Sequence, residues 1–198
     1  VMACDSVDYV VIDEGEETMQ ELADGKNPSE ILGLCYKEGG RMVKNAPRPL
    51  IKNLDDIPPP AYHLLPMDKY YPAVGSYKRL PAMIVLATRG CPGRCTFCYR
   101  TFRGVLRKRS VKNILEEIKI LQRDYGIQEI MFYDDTFTMF RELIQEFCET
   151  IIREKINIIW SCFTRVDCVD ENLLFLMKRS GCHLILIGVE SADEQILK

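Results

Sequence analysis

Histidine is nearly missing from this chain: only His63 and His183 occur in 198 residues. That scarcity removes the zinc sites built on a histidine pair. A second C-x-x-C-like pair, which an all-thiolate zinc knot would need, is missing as well. Charge of one sign is lacking too, because 26 Lys and Arg against 29 Asp and Glu leave a net charge of -3. Such a balance gives no global pull toward nucleic acid or an anionic membrane surface. No apolar run approaches the roughly 18 to 20 residues of a membrane span, and no signal-peptide pattern opens the sequence. Cysteine is plentiful, but its nine copies are odd in number and lack the regular spacing of a secreted disulfide scaffold. Reduced thiols in a cytoplasmic protein are the expectation. The 47% hydrophobic content is enough to bury a sizeable core, and the length allows one or two domains.

What the chain does have is Cys91-Pro92-Gly93-Arg94-Cys95-Thr96-Phe97-Cys98, three cysteines spaced C-x-x-x-C-x-x-C just after the apolar run 83–87. In a loop loosened by Gly90 and Gly93 and turned by Pro92, three thiolates can converge on one soft metal centre. Iron–sulfur clusters usually take four protein ligands, so three leave one iron open. The competing reading is a structural zinc site or three unrelated thiols. The remaining cysteines, Cys4, Cys35, Cys148, Cys162, Cys168 and Cys182, supply no second pair for it.

Along the chain, 8–12 reads as a short strand ending in the acidic turn Asp13-Glu14-Gly15-Glu16. A helix over 17–24 follows, with Met19 and Leu22 facing inward. Strand, turn and helix suggest one αβ unit of a doubly wound sheet. The pieces 31–36 and 41–44 flank Glu38-Gly39-Gly40 as a hairpin. Residues 47–81 carry a concentration of prolines and read as an extended strap. Its Leu54, Ile57, Tyr62, Leu64, Leu65, Tyr70 and Tyr71 imply that it lies against a neighbouring surface.

Beyond Pro81 strand and helix alternate. Strands are expected at 83–87, 129–133, 158–163 and 184–189. Between them, Ser110 caps a helix with Val111, Ile114, Leu115, Ile118 and Leu121 on one face, ended by Gly126. The helix over 140–155 carries Leu143, Ile144, Phe147, Cys148, Ile151 and Ile152 on its apolar face, and Asp170 caps the third, with Leu173 and Met177 inward. Nearly continuous apolar strands joined by helices imply a parallel sheet covered on both faces. In such folds ligands gather at the carboxyl ends of strands. There the chain has the cysteine loop, then Asp134 and Asp135, then Arg165, then Glu190. Carboxylates and a guanidinium at successive strand ends suit a zwitterionic ligand.

The cysteine spacing, with the aromatic Phe97 before the third cysteine, resembles the radical S-adenosylmethionine (radical SAM) superfamily. The order of strands, acidic turn, linker and loop resembles its branch in which the barrel follows a cobalamin-binding domain. This resemblance implies an α/β fold: a partial (β/α)6 barrel with about four βα units present, preceded by a remnant of a Rossmann-like cobalamin-binding domain. The implied division is 1–46 for the remnant, 47–81 for the linker and 82–198 for the barrel. It implies a 4Fe-4S cluster on Cys91, Cys95 and Cys98, whose open iron is chelated by S-adenosylmethionine. Reductive cleavage of the sulfonium to a 5'-deoxyadenosyl radical would follow. Asp134, Asp135, Arg165, Glu190 and Phe97 are the implied cofactor contacts. A reductant such as flavodoxin or ferredoxin is the implied partner, with cobalamin-linked methyl transfer or rearrangement on an unknown substrate as the reaction. Cobalamin belongs to the parent protein; residues 1–46 are too few to enclose a corrin ring, and both ends of the chain read as cut. Asp13 departs from the family, which often has glycine there.

Other readings stand beside these. Acids at strand ends often cap helices, Glu190 included, and Arg165 can pair with Asp167. The basic run Arg100, Arg103, Arg107, Lys108 and Arg109 reads as a solvated face, with a phosphate or RNA contact as the alternative; neither nucleic acid nor a membrane is the expected partner. His183 reads as a satisfied packing residue and Cys148 as an inert apolar filler. The rival to an enzyme is a non-catalytic iron–sulfur or zinc module for electron transfer or structure.

Overall fold

Hydrophobic periodicity switches near residue 82, and the architecture switches with it. The structure, a computed structural model, describes residues 4, 6–99, 101–193, 195 and 196. Arg100, one of the basic run, lies outside the described residues. At the amino-terminal end, β1 (Tyr9–Val11), β2 (Leu34–Glu38) and β3 (Arg41–Lys44) form an antiparallel sheet in that order. The expected hairpin at Gly39-Gly40 is β2–β3. The first strand, expected in a parallel unit, takes β2 as its antiparallel partner within this chain. Ile31, Leu34 and Tyr36 make a small core with Val11, Leu22 and Val43.

Helix α1 (Glu16–Ala23) covers this sheet. Met19, expected inward, is exposed, and Thr18 is the fully buried residue instead. Its Oγ1 donates to the Leu32 carbonyl at 3.0 Å and accepts from Arg48 Nε at 2.9 Å. A satisfied hydroxyl can take an interior position that apolar periodicity assigns to methionine.

The strap crosses to the second body as short 3-10 turns. Leu54 and Tyr62 are buried, whereas Leu64, Leu65, Tyr70 and Tyr71 stay exposed. The strap therefore adheres at two anchors, not along its whole length.

The larger body is a parallel sheet of β4 (Ala82–Val85), β7 (Glu129–Phe132), β8 (Ile159–Thr164) and β9 (Cys182–Ile187), each strand beside the next in sequence. This sequential order is that of a barrel wall. Helices α2 (Val111–Tyr125), α3 (Arg141–Glu154) and α4 (Glu171–Arg179) pack on one face; the cover expected on both faces is not seen among the described residues, and Ile84 of β4 is exposed, as in a barrel wall whose inner face carries no helix. The five apolar residues expected inward on α2 are all buried, Ser110 Oγ accepts from Asn113 N, and Gly126 closes the helix in the left-handed conformation. Asp170 caps α4 through Leu173 N at 2.9 Å.

Between sheet and helices sits an aromatic core of Phe132, Phe137, Phe147 and Trp160, the first two stacked at 4.2 Å and the others edge-on. Complete burial of such side chains stabilises by about 1.5–3 kcal/mol each. Cys148 lies in this layer, and burial pushes its thiol up to about 12, the behaviour of an apolar filler. At the amino-terminal end of the sheet the fully buried Glu129 accepts from Lys78 N and Arg79 N at 2.8 Å and meets His183 Nε2 at 2.7 Å. His183 is thus the satisfied packing residue the sequence suggests.

Two further strands escape sequence reading: β5 (Thr88–Arg89) and β6 (Arg107–Lys108), an antiparallel pair. They close the base of the cysteine loop. No helix among the described residues is long and apolar enough to cross a membrane.

Candidate metal and cofactor site

The carboxyl ends of the four parallel strands are tied together by side chains that also shape the cysteine loop. Asp134 follows β7 and is buried. Its Oδ1 accepts from Ala87 N at 3.0 Å, from Thr88 Oγ1 at 2.6 Å and from Thr88 N, so the exit of β4 is fastened to that of β7. Burial pushes the Asp134 carboxyl up to about 6, against the downward pull of these hydrogen bonds. Phe137 inserts into the aromatic core and anchors the turn from inside. The buried Thr138 hydroxyl bonds that of Thr164 at the end of β8.

On this frame the loop starts at Gly90, whose φ is +90°; a Cβ there would collide with the Val105 carbonyl oxygen. Cys91 Sγ lies 3.7 Å from Thr136 Oγ1 and accepts from Gly93 N at 3.4 Å. A Cβ on Gly93 would stand 3.2 Å from Cys91 Sγ, 3.9 Å from Cys95 Sγ and 3.6 Å from Arg165 Nη1. Glycine at this position lets two sulfurs and a guanidinium close in where a side chain would crowd them. Arg165 Nη1 is itself 3.9 Å from Cys95 Sγ. Cys98 N donates to Cys95 O at 3.2 Å, so the third thiol is one turn further along, its Sγ 3.5 Å from the Tyr99 carbonyl. Among the described residues no three Cys, His, Asp or Glu side chains converge tightly enough to hold a single metal ion. Cys91 and Cys95 thus present soft sulfur donors beside a guanidinium and a backbone N–H.

The other candidate contacts divide. Arg165 makes a two-bond pair with Asp167, at 2.9 and 2.8 Å, while keeping Nη1 toward Cys95. The Asp167 carboxylate raises the Arg165 pKa, so the guanidinium stays charged. Asp135 is exposed beyond the turn. Glu190 is exposed beyond β9 in a left-handed backbone conformation, its Oε1 leaning over Gly188. Phe97 is exposed on the outside of the loop. The structure thus brings Cys91, Cys95, Arg165 and Thr136 together, with Asp134 fastening the strand exits beside them, whereas the Asp135, Glu190 and Phe97 side chains are exposed.

Within the basic run, Lys108 is exposed as expected of a solvated face, whereas Arg103, Arg107 and Arg109 are held in ion pairs. Arg107 Nη1 reaches Glu14 Oε2 at 2.7 Å, Arg103 pairs with Asp13, and Arg109 Nη1 meets Glu117 Oε2 at 2.5 Å. Sequence reasoning misses the Arg103 and Arg107 pairs because their acids lie 90 and 93 residues away. Thr88 and Thr136 are missed for a different reason: a threonine near a strand end carries no signal of its own.

A parallel β/α wall with consecutive strands side by side, bearing a three-thiol loop after its first strand, defines the class: a cysteine-loop β/α-barrel protein. The chain belongs to the Radical SAM superfamily, whose pattern matches residues 85–198. It is 43% identical to an uncharacterized methyltransferase of Pyrococcus horikoshii, over 98% of this chain and 43% of the relative. It is 31% identical to the anaerobic magnesium-protoporphyrin IX monomethyl ester cyclase of Synechocystis, over 97% of the chain and 39% of the relative. It is 30% identical to the cytidylyl-2-hydroxyethylphosphonate methyltransferase of Streptomyces wedmorensis, over 98% and 42%. The chain therefore spans less than half the length of these relatives. In fold it is similar to the cobalamin-dependent S-adenosylmethionine radical enzyme OxsB, with a TM-score of 0.75 and 22% identity over 96% of this chain and 29% of that one. The radical S-adenosylmethionine methyltransferase TsrM of Kitasatospora setae gives 0.72 and 16%, over 96% and 39%.

Proposed function

We propose that Cys91, Cys95 and Cys98 bind a 4Fe-4S cluster and that S-adenosylmethionine binds beside it, within a larger cobalamin-dependent enzyme that transfers a methyl group or rearranges its substrate. The observation that carries this reading is the gathering of Cys91, Cys95 and the charged Arg165 around Gly93 at the carboxyl ends of a barrel wall. When bound, the cluster and S-adenosylmethionine supply reductive cleavage of a sulfonium to a 5'-deoxyadenosyl radical.

The chain's own residues hold and orient. The three thiolates hold the cluster and leave one position open to the ligand. Arg165, kept cationic by Asp167, faces the carboxylate of the ligand and offsets the negative charge of the thiolates. Asp135 and Glu190 receive the ammonium and ribose hydroxyls, and Asp134 holds the loop's first residues in register from below. Phe97 shields the outer face of the loop. Residues 1–46 belong to the cobalamin-binding domain of the parent protein, 47–81 to the linker and 82–198 to the barrel. A cytoplasmic setting with flavodoxin or ferredoxin as reductant keeps thiols and cluster reduced. The names of the relatives favour methyl transfer over rearrangement, and the substrate is unassigned.

Anaerobic reconstitution followed by iron and sulfide analysis tests the reading. About four irons and four sulfides per chain are expected, and replacement of any one of the three cysteines by Ala should remove most of both. Addition of S-adenosylmethionine to the reduced protein should change its electron paramagnetic resonance spectrum. Uptake of one zinc without sulfide would sink the cluster assignment, and an unchanged spectrum at saturating ligand would reduce the protein to an electron carrier.

A further inference from the structure

The hairpin β5–β6 that closes the cysteine loop sets two like charges face to face. Arg89 and Arg107 are direct cross-strand partners. Like charges directly opposite on an antiparallel pair push the strands apart. Here a single carboxylate from another part of the chain lies between them. Glu14, in the turn between β1 and α1, is buried; its Oε1 accepts from Arg89 Nη1 at 2.7 Å and from Arg107 Nη1 at 2.9 Å. Its Oε2 accepts from Arg107 Nη1 at 2.7 Å and from Ile51 N at 2.7 Å.

The neighbours reinforce the grip. Glu16 Oε1 takes Arg89 Nη2 at 2.5 Å, Asp13 takes Arg103, and the Phe102 ring lies 5.9 Å from the Arg89 guanidinium and 5.3 Å from that of Arg107. Three residues of this junction, Asp13, Phe102 and Arg103, adopt left-handed backbone conformations that cost non-glycine residues free energy. Strain of that kind persists only where surrounding contacts hold it. Arg89 is two residues before Cys91, so whatever fixes Arg89 fixes the entry of the loop.

We infer that Glu14 is a positioning residue for the cysteine loop: by bridging Arg89 and Arg107 it holds β5 to β6 and so sets the geometry of the Cys91–Cys98 thiols from the amino-terminal segment. The inference rests on the cluster reading above. It goes beyond that reading in making the turn after β1 a determinant of how the site takes its ligand. The carboxylate acts through the two arginines and touches neither cluster nor ligand.

The test compares wild type with Glu14→Gln and Glu14→Asp in the reconstituted protein. Circular dichroism and iron content identify folded, loaded samples. On those samples, the spectrum of the reduced cluster and its titration with S-adenosylmethionine are read per cluster. Glu14→Gln keeps the shape and removes the charge, so the arginines repel and the loop loosens. The expected result is an altered line shape and about tenfold weaker ligand affinity, with Glu14→Asp recovering part of the loss. Glu17→Gln, on the exposed side of α1, should match wild type. A role in stability alone would lower the melting temperature and leave both per-cluster readouts as in wild type, and that outcome overturns the inference. If Glu14→Gln does not fold, Arg107→Lys, which keeps the charge but loses the guanidinium fork, is read by the same criteria with the same overturning result. Failure of the wild type itself to bind cluster or ligand would instead remove the reading on which the inference stands.

Discussion

A single carboxylate, Asp134, shows what burial does to a candidate ligand. One oxygen is consumed by Ala87 and Thr88, while Oδ2 is buried with no hydrogen-bond partner. Burial raises its pKa from 3.8 to about 6, partly opposed by those hydrogen bonds. A carboxyl whose pKa rises on folding stabilises the fold in its protonated form. That contribution is complete below its unfolded value and is lost as pH climbs through the folded value. Asp134→Asn retains an oxygen for the three donors but cannot titrate. The stability of wild type relative to this variant should therefore fall between about pH 4 and pH 6 by an amount on the order of 2–3 kcal/mol, then level off. Thermal unfolding across that range decides it, and a difference that does not vary with pH would mean that folding leaves the Asp134 pKa unchanged. The residue is legible in the sequence as an acid at a strand end. Its inward use is not, because only the register of β4 against β7 brings Thr88 under it.

Among the elements, the helices were the easiest to read and the hairpin at the loop base the hardest. Ser110, Gly126 and Asp170 are capping signals that act over one turn, so a local pattern suffices to place them. Strands β5 and β6 contribute two residues each and are separated by the whole cysteine loop, so no periodicity can announce them. Their closeness shows in Gly90. Gly90→Ala adds a methyl group that meets the Val105 backbone, on top of a left-handed conformation worth about 1–3 kcal/mol of strain. Gly126→Ala has φ +64° and nothing within 4 Å, so it should cost only the left-handed strain of about 1–2 kcal/mol. The larger loss of melting temperature should come from Gly90→Ala, together with reduced iron uptake. Equal losses in the two variants would show that the hairpin yields to the methyl group.

At the scale of the whole molecule, two polar junctions join the parts. One is the acidic turn on the arginines of the hairpin. The other is Tyr62, whose hydroxyl donates to Glu117 Oε1 at 2.5 Å from within the strap. Burial first, and the Glu117 carboxylate second, raise the Tyr62 pKa, so the phenol stays protonated and donates. Tyr62→Phe leaves that carboxylate oxygen buried without its donor, which should destabilise by about 1–3 kcal/mol. Urea unfolding should show a lower midpoint with an unchanged slope; an unchanged midpoint would mean that the strap contributes no energy through this bond.

The sequence by itself determined the apolar faces, the helix caps, the alternation of strand and helix and the spacing of the three thiols, because each is a property of residues within a few positions of one another. The tertiary structure alone decided that Arg103 and Arg107 are paired with Asp13 and Glu14, that Met19 faces outward and that Arg165 reaches Cys95 as well as its near neighbour Asp167. It also decided that Glu14 stands between Arg89 and Arg107. These contacts join residues tens of positions apart. Whether two opposite charges pair or face water depends on the register of packed elements, a quantity that no local pattern encodes.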